Sequence, residues 1–206
     1  CDREVAGEIW VAGRRDGGRA AGCALTGREA GSDAANVQMS AEPSEDGSHY
    51  TLNGEKRYIT NASIAQVLTV MARTPDPKKP GKTAITAFLV TPDMEGFEML
   101  EPRMPKLGIK GTATGRFRMT NMRVPKENIL GPLGKGLRVA LTVLDFGRTT
   151  FGACCTGAAK TCLQMSIEHA NTRKQFQKTL GDFDLVKKKI ARTAADVYAM
   201  EAMTQV

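Results

Sequence analysis

Two stretches of this 206-residue chain carry residue types able to grip and orient a ligand. The first, CALTGREAGSDAANV, sets Gly31, Ser32 and Asp33 in succession after a short apolar run. Such a loop offers backbone N–H donors and a hydroxyl, which suit carbonyl or phosphate oxygens, but taken alone it reads first as a simple β-turn. The second, LNGEKRYITNA, holds Tyr58, Ile59 and Thr60 between polar residues. KLGIKGTATGRF, MRVPKENILG, LDFGRTTFGA and NTRKQFQK follow in that order. Each is weak alone; their order and spacing carry the information.

Several common chemistries are excluded by what is missing. GPLGKG at 131–136 is not GxGxxG, and the chain has no GxxxxGKS/T, HExxH or GxSxG. Those absences remove the usual nicotinamide-dinucleotide, P-loop and serine-hydrolase readings. The five cysteines form no CxxC pair, and His49 and His169 are the only histidines, so no metal site is expected. The cysteines read as reduced, intracellular thiols.

The elements that must position these residues change character near residue 134. Before it, GCALT, SHYTLNG, EKRYITN, QVLTVMART, TAITAFLVT and RFRMTNMRV are short runs rich in strand-forming residues. SEDGS, TPDPKKPGK, PDMEG and VPKEN separate them, as turn clusters do. With no helical pattern between the strands, the expectation is an antiparallel β-barrel or sandwich. From Gly136 the chain turns helical, with a long segment apolar on most faces. A second helix carries Phe183, Val186, Ile190, Ala194, Val197 and Met200 at spacings of three and four, with Asp182 as its expected N-cap. The fold class is therefore α+β, with a β-domain over 21–133, two helices of a bundle over 134–206, and residues 1–20 unassigned, a non-native end being one reading of them. The chain starts at Cys1 and stops at Val206 in mid-pattern, so it reads as a fragment. No apolar run approaches the roughly 20 residues that cross a bilayer, and no export signal is visible.

The net charge is +7, concentrated in 101–135, where eight Lys and Arg face two acidic residues. A solvated basic face or a site for a phosphorylated small molecule suits that segment best, and an acidic protein partner is a further reading. Nucleic acid suits it poorly, since Phe117 is the only aromatic among the charges.

Taken in order, these motifs closely resemble those of the acyl-CoA dehydrogenase family. Leu25-Thr26-Gly27-Arg28-Glu29-Ala30-Gly31-Ser32-Asp33 is similar to the family's aliphatic-Thr-Glu-Pro-x-x-Gly-Ser-Asp loop, with Gly27-Arg28 in place of Glu-Pro. Gly54-Glu55-Lys56-Arg57-Tyr58-Ile59-Thr60-Asn61 is similar to its Gly-x-Lys-x-Trp/Tyr-Ile-Thr/Ser-Asn strand. VPKENILG and TRKQF lean toward the long-chain and very-long-chain branch. The resemblance covers residues 20–206.

What the resemblance implies is a flavoprotein oxidoreductase that binds FAD without a Rossmann fold. It would remove two hydrogens across Cα–Cβ of a fatty acyl-CoA, giving a trans-2-enoyl-CoA in fatty acid β-oxidation. Cys23, Leu25, Thr26, Gly31, Ser32, Tyr58, Ile59 and Thr60 fall where the family meets the cofactor. Ser32, Asp145 and Arg148 fall where it meets the acyl-CoA. Arg173, Gln175 and Phe176 fall where one subunit reaches a neighbour's FAD, which implies a homo-oligomer, a dimer or tetramer. Electron-transferring flavoprotein is the implied electron acceptor. The compartment would be the cytoplasm of a bacterium, or the mitochondrial matrix or inner-membrane surface of a eukaryote. No catalytic residue is expected within the chain: one family position for the base, two after Asp145, is Gly147, and the other lies beyond Val206. An acyl-CoA oxidase of the same superfamily and a non-catalytic basic β-domain are the alternatives.

Overall fold

The computed structural model describes residues 20–205, which fall into two compact units divided between Thr142 and Val143. The unassigned N-terminal stretch lies outside the described residues, apart from Ala20. In the first unit, eight strands form one mixed sheet: β1 (Ala20–Ala24), β2 (Ser40–Pro43), β3 (His49–Thr60), β4 (Ala65–Pro75), β5 (Thr83–Val90), β6 (Phe97–Glu101), β7 (Thr114–Pro125) and β8 (Ile129–Leu130). The path runs β6-β7-β3-β2-β4-β5-β8, with β1 added beside β4.

The frame is the antiparallel pairing of the two 12-residue strands β3 and β7, which matches Tyr50 to Val124 and Leu52 to Met122. Period-two alternation turns these residues inward, and all four are buried. On the other side β4 and β5 pair Leu68 with Val90 and Val70 with Phe88. These side chains, with Phe117, Met71 and Met119, form the core.

Two expectations are corrected. The sheet is not purely antiparallel, because β4 pairs in parallel with both β1 and β2. Parallel neighbours need a crossover, and the absence of a helical pattern argued against one. Here the crossover is a loop from Leu25 to Met39, with a single 3₁₀ turn at Ala34–Asn36, followed by β2 and β3. Nor does the sheet close into a barrel: β6 and β8 end the path, and the architecture is sandwich-like. SHYTLNG and EKRYITN, expected as two strands, are one strand with irregularities at Leu52–Gly54 and Lys56–Ile59. β2, β6 and β8, of four, five and two residues, are not among the expected runs.

The sheet hands over to a helix at a tightly packed point. The buried Thr74 and Thr86 hydroxyls bond at 2.8 Å, and Thr86 Oγ1 also accepts the Gly134 N–H at 2.9 Å. Helix α1 (Gly136–Thr172) starts two residues later, and its first turns bury Ala140 against the core.

In the second unit, the rest of α1 is followed by a hairpin of β9 (Lys174–Gln175) and β10 (Lys178–Thr179), a 3₁₀ turn at Leu180–Asp182, and helix α2 (Asp184–Gln205). A Lys160–Glu201 ion pair and the close approach of Gly152 to Thr204 join the two helices in antiparallel fashion. Asp182 is not the cap of α2. It closes a capping box with Thr179 over the 3₁₀ turn, and Phe183 supplies the carbonyl that receives the first helical N–H groups, from Val186 and Lys187. Asp and Thr three residues apart compete for capping, and here they cap each other.

The handover at Gly136 yields a test. A Cβ there would sit 2.5 Å from the Ala87 nitrogen and the Thr86 carbonyl carbon, both main-chain atoms that cannot rotate away. Gly136→Ala is expected to destabilise the protein by about 3 kcal/mol, read as a lower unfolding midpoint in urea.

Candidate functional site

The chain leaving β1 and the far end of β3 meet along one edge of the first unit. Gly27 bridges to Lys56, and the Arg57 N–H donates to the Thr26 carbonyl at 3.2 Å. Gly22 permits the approach, since a Cβ there would lie 2.8 Å from Leu68 Cδ2 and 3.1 Å from the Thr60 carbonyl oxygen. Cys23, Leu25, Thr26, Tyr58, Ile59 and Thr60, widely separated in sequence, are thereby brought to one place.

The irregularity in β3 shapes this edge. Tyr58 has φ of 59°, a region uncommon for a bulky residue, as a bulged strand demands. The kink leaves the Tyr58 ring 57% exposed while Ile59 beside it is 2% exposed. Ile59 can therefore offer a ligand only its main chain. The Arg57 guanidinium stacks over the Tyr58 ring at 4.7 Å, and its Nε is a buried donor with no protein partner. Thr60 is exposed, and so are Gly31 and Ser32 in the loop beyond Gly27. An aromatic face, exposed hydroxyls and an unpaired buried donor fit a flat, polar-edged cofactor such as a flavin.

Lys56 is the residue the sequence reading passed over. It is 0% exposed, and its Nζ donates to the Leu25 carbonyl at 2.9 Å. The signal was the strand's own alternation, which sets Lys56 on the inward face with Tyr50 and Leu52. Burial pulls its pKa down from 10.5 to about 7, and a Cys23 thiolate would pull it back up. Packing about the Cys23 sulfur pushes that thiol up, against the attraction of Lys56; because Cys23 is open to solvent, the push is modest.

The basic segment is less free than its composition suggests. Glu55 takes Arg116 at 3.2 Å and Arg118 at 3.6 Å, and Glu101 and Glu98 flank the same two arginines. Lys106 is spent on Thr112 and Thr114, and Arg103 on the carbonyls of Lys110 and Gly111. These cations brace a loop more than they form a docking field.

In the second unit, Asp145 and Arg148 are exposed on α1 and pair with each other at 3.1 Å. Arg173, Gln175 and Phe176 belong to the hairpin. Phe176 and Gln177 are its two central residues, with φ of 52° and 65°, the signs of a type I′ turn usually built from Asn and Gly. Phe176 is held 87% exposed at the tip. Among the described residues no group of His, Cys, Asp or Glu could hold a metal.

Comparison with known proteins accounts for this arrangement. The sequence profile of the acyl-CoA dehydrogenase middle domain matches residues 22–122, and that of the C-terminal domain matches 134–205. The chain belongs to the acyl-CoA dehydrogenase family. It is 38% identical over 182 residues to the human mitochondrial very long-chain specific acyl-CoA dehydrogenase, covering 87% of this chain and 28% of that protein. Among solved structures, butyryl-CoA dehydrogenase from Megasphaera elsdenii superposes with a TM-score of 0.86 at 32% identity, over 98% of this chain and 52% of that one. An acyl-CoA dehydrogenase complexed with FAD from Bacillus anthracis gives 0.78 at 37% identity, over 89% of this chain and 30% of that one. The chain thus spans well under two thirds of these relatives. For an acyl-CoA dehydrogenase the sandwich-like sheet and helix pair are the expected parts, and no described helix is long and apolar enough to cross a membrane.

The buried lysine gives this family member a pH signature. Between pH about 7 and 10.5 the unfolded chain carries a proton on Lys56 that the folded chain lacks, so stability rises with pH. Above about 9 the raised Cys23 pKa acts in the opposite sense, because the folded state then keeps a proton the unfolded state loses. Unfolding free energy should climb from pH about 7 to about 9, by at most about 1.4 kcal/mol per unit, and Lys56→Met should flatten the climb.

Proposed function

We propose that this chain is the middle β-domain, 21–133, and the first two C-terminal helices, 134–206, of an FAD-dependent acyl-CoA dehydrogenase. The reading holds that it oxidises a long-chain fatty acyl-CoA to the trans-2-enoyl-CoA. The observation that carries this is the single edge where the β3 main chain at Lys56, Arg57 and Thr60 meets the chain leaving β1, with Tyr58 and Thr60 exposed beside it.

The flavin, when bound, accepts a hydride from the substrate's β-carbon. The chain's own groups bind and orient. The main chain at Cys23, Leu25 and Thr26 and that at Ile59 face the ring, Tyr58 stacks near it, and Thr60 donates a hydrogen bond at its reacting edge. Gly31 leaves open space, so the Ser32 hydroxyl and neighbouring N–H groups can reach phosphate of the cofactor or of the acyl-CoA. Asp145 and Arg148 contact the acyl-CoA near its thioester, where hydrogen bonds stabilise the developing enolate.

The base that takes the α-proton is a glutamate outside this chain. Position 147 is glycine, and the two helical glutamates are occupied, Glu168 by Gln164 and Glu201 by Lys160. Arg173, Gln175 and Phe176, displayed on the strained hairpin, reach the FAD of a second subunit in a homo-oligomer. Electrons pass on to electron-transferring flavoprotein; a similar solved structure, at 29% identity, is that of an electron transferring flavoprotein of Acidaminococcus fermentans. The bacterial and mitochondrial origins of the relatives favour an intracellular enzyme, cytoplasmic or mitochondrial respectively.

The test is the visible spectrum of the full-length protein with FAD. Flavin bands that bleach on adding a long-chain acyl-CoA, without nicotinamide cofactor, are the expected result. Bleaching reversed in air with peroxide formation would make it an oxidase, and a protein that takes up no flavin would end the reading. Thr60→Ala should slow the bleaching about tenfold or more with little loss of folding, because Thr60 is exposed.

A further inference from the structure

Lys56 is among the largest side chains fully removed from solvent in the first unit, beside Phe88 and Phe117. An ammonium in the interior costs several kcal/mol of desolvation unless charge or hydrogen bonds offset it. Among the described residues no carboxylate lies within ion-pair distance of it, and its one recorded hydrogen bond goes to the Leu25 carbonyl at 2.9 Å. A methionine would fill the same space without that cost. As a packing element, then, a lysine here is a poor solution, and what it gains is control of one carbonyl.

That carbonyl is well chosen. It belongs to the Leu25–Thr26 peptide, and the next carbonyl, that of Thr26, accepts the Arg57 N–H at 3.2 Å. Gly27 is bridged to Lys56 itself. Beyond Ala24 the chain has left the regular β1–β4 pairing, so these contacts from β3 fix the plane of the Leu25–Thr26 peptide. A donor of positive charge on a peptide carbonyl also polarises that peptide and strengthens the N–H at its other end.

We propose that Lys56 is a positioning residue for the cofactor: by holding and polarising the Leu25–Thr26 peptide, it sets the geometry and donor strength of the main chain that meets the flavin ring. The inference rests on the flavin reading above. It assigns to a buried lysine a role in ligand affinity, with no direct contact to the ligand. Burial lowers the Lys56 pKa to about 7, so the charge is held at a cost, and the amine still donates to the carbonyl when it is neutral.

The full-length protein, as wild type, Lys56→Met and Lys56→Gln, decides it by two readouts. FAD affinity of the apoprotein is measured by quenching of flavin fluorescence, and the visible flavin band is recorded for each holoprotein, alongside the apoprotein's unfolding midpoint. Lys56→Met is expected to keep or raise the midpoint, weaken FAD binding by about tenfold or more and move the flavin band. Lys56→Gln, whose amide can still donate to the carbonyl without a charge, should fall between. If Lys56→Met does not fold, the Gln variant decides by the same readouts. Unchanged FAD affinity and an unmoved band in the variants, whatever the midpoint does, would overturn the inference and leave the flavin reading intact. A wild type that takes up no FAD would overturn both.

Discussion

A bond from a buried lysine amine to a main-chain carbonyl, Lys56 to Leu25, is the contact on which the candidate site depends. β1 is only five residues long and pairs with β4 on the side of the sheet path rather than within it. The loop that follows has no ladder of its own to hold it. Its shape comes from β3, through Lys56, through the Arg57 N–H and through the Gly27 bridge. β3 in turn is rigid because it lies between β7 and β2 and its inward residues reach the core. The bulge that turns Tyr58 outward is tolerable for the same reason: a residue in the left-handed region persists only where its surroundings over-determine it.

The second unit is organised on another principle. Its two helices pair antiparallel, and the hairpin between them is locked by the Thr179–Asp182 box. The turn residues Phe176 and Gln177 take a conformation that glycine and asparagine adopt more readily, so the strain is offset by the flanking structure rather than by the turn itself. What the strain achieves is an aromatic ring displayed at a fixed tip. Several large apolar side chains, among them Phe146, Phe151 and Tyr198, are open on this pair of helices. Such surfaces call for further helices or subunits against them.

Much of this was legible in the sequence because the signals were local. Strand runs with turn clusters between them located β3, β4, β5 and β7, and the loss of that pattern at Gly136 marked the start of α1. The motif order brought Leu25–Ser32 and Tyr58–Thr60 into one account. The misses were of pairing and context. That β1 and β2 run parallel to β4 depends on a crossover with no helix in it, which no local pattern announces. Whether Asp182 caps α2 or the turn before it depends on Thr179, a neighbour with the same chemistry. How far the basic segment is free depends on Glu55, Glu98 and Glu101, distant in sequence or on another strand, which lie against Arg116 and Arg118. Lys56 stands in the matched strand motif but was given no role there, although alternation sets it on the inward face.

The central claim is that the edge formed by the end of β1 and the bulge of β3 is where the cofactor's ring lies. A structure of the full-length protein with FAD bound tests it most directly. The account predicts the isoalloxazine against the Leu25–Thr26 main chain, with the Tyr58 ring and the Thr60 hydroxyl beside it and Lys56 still on the Leu25 carbonyl. A flavin bound elsewhere on the protein, with that edge open to water, would contradict it.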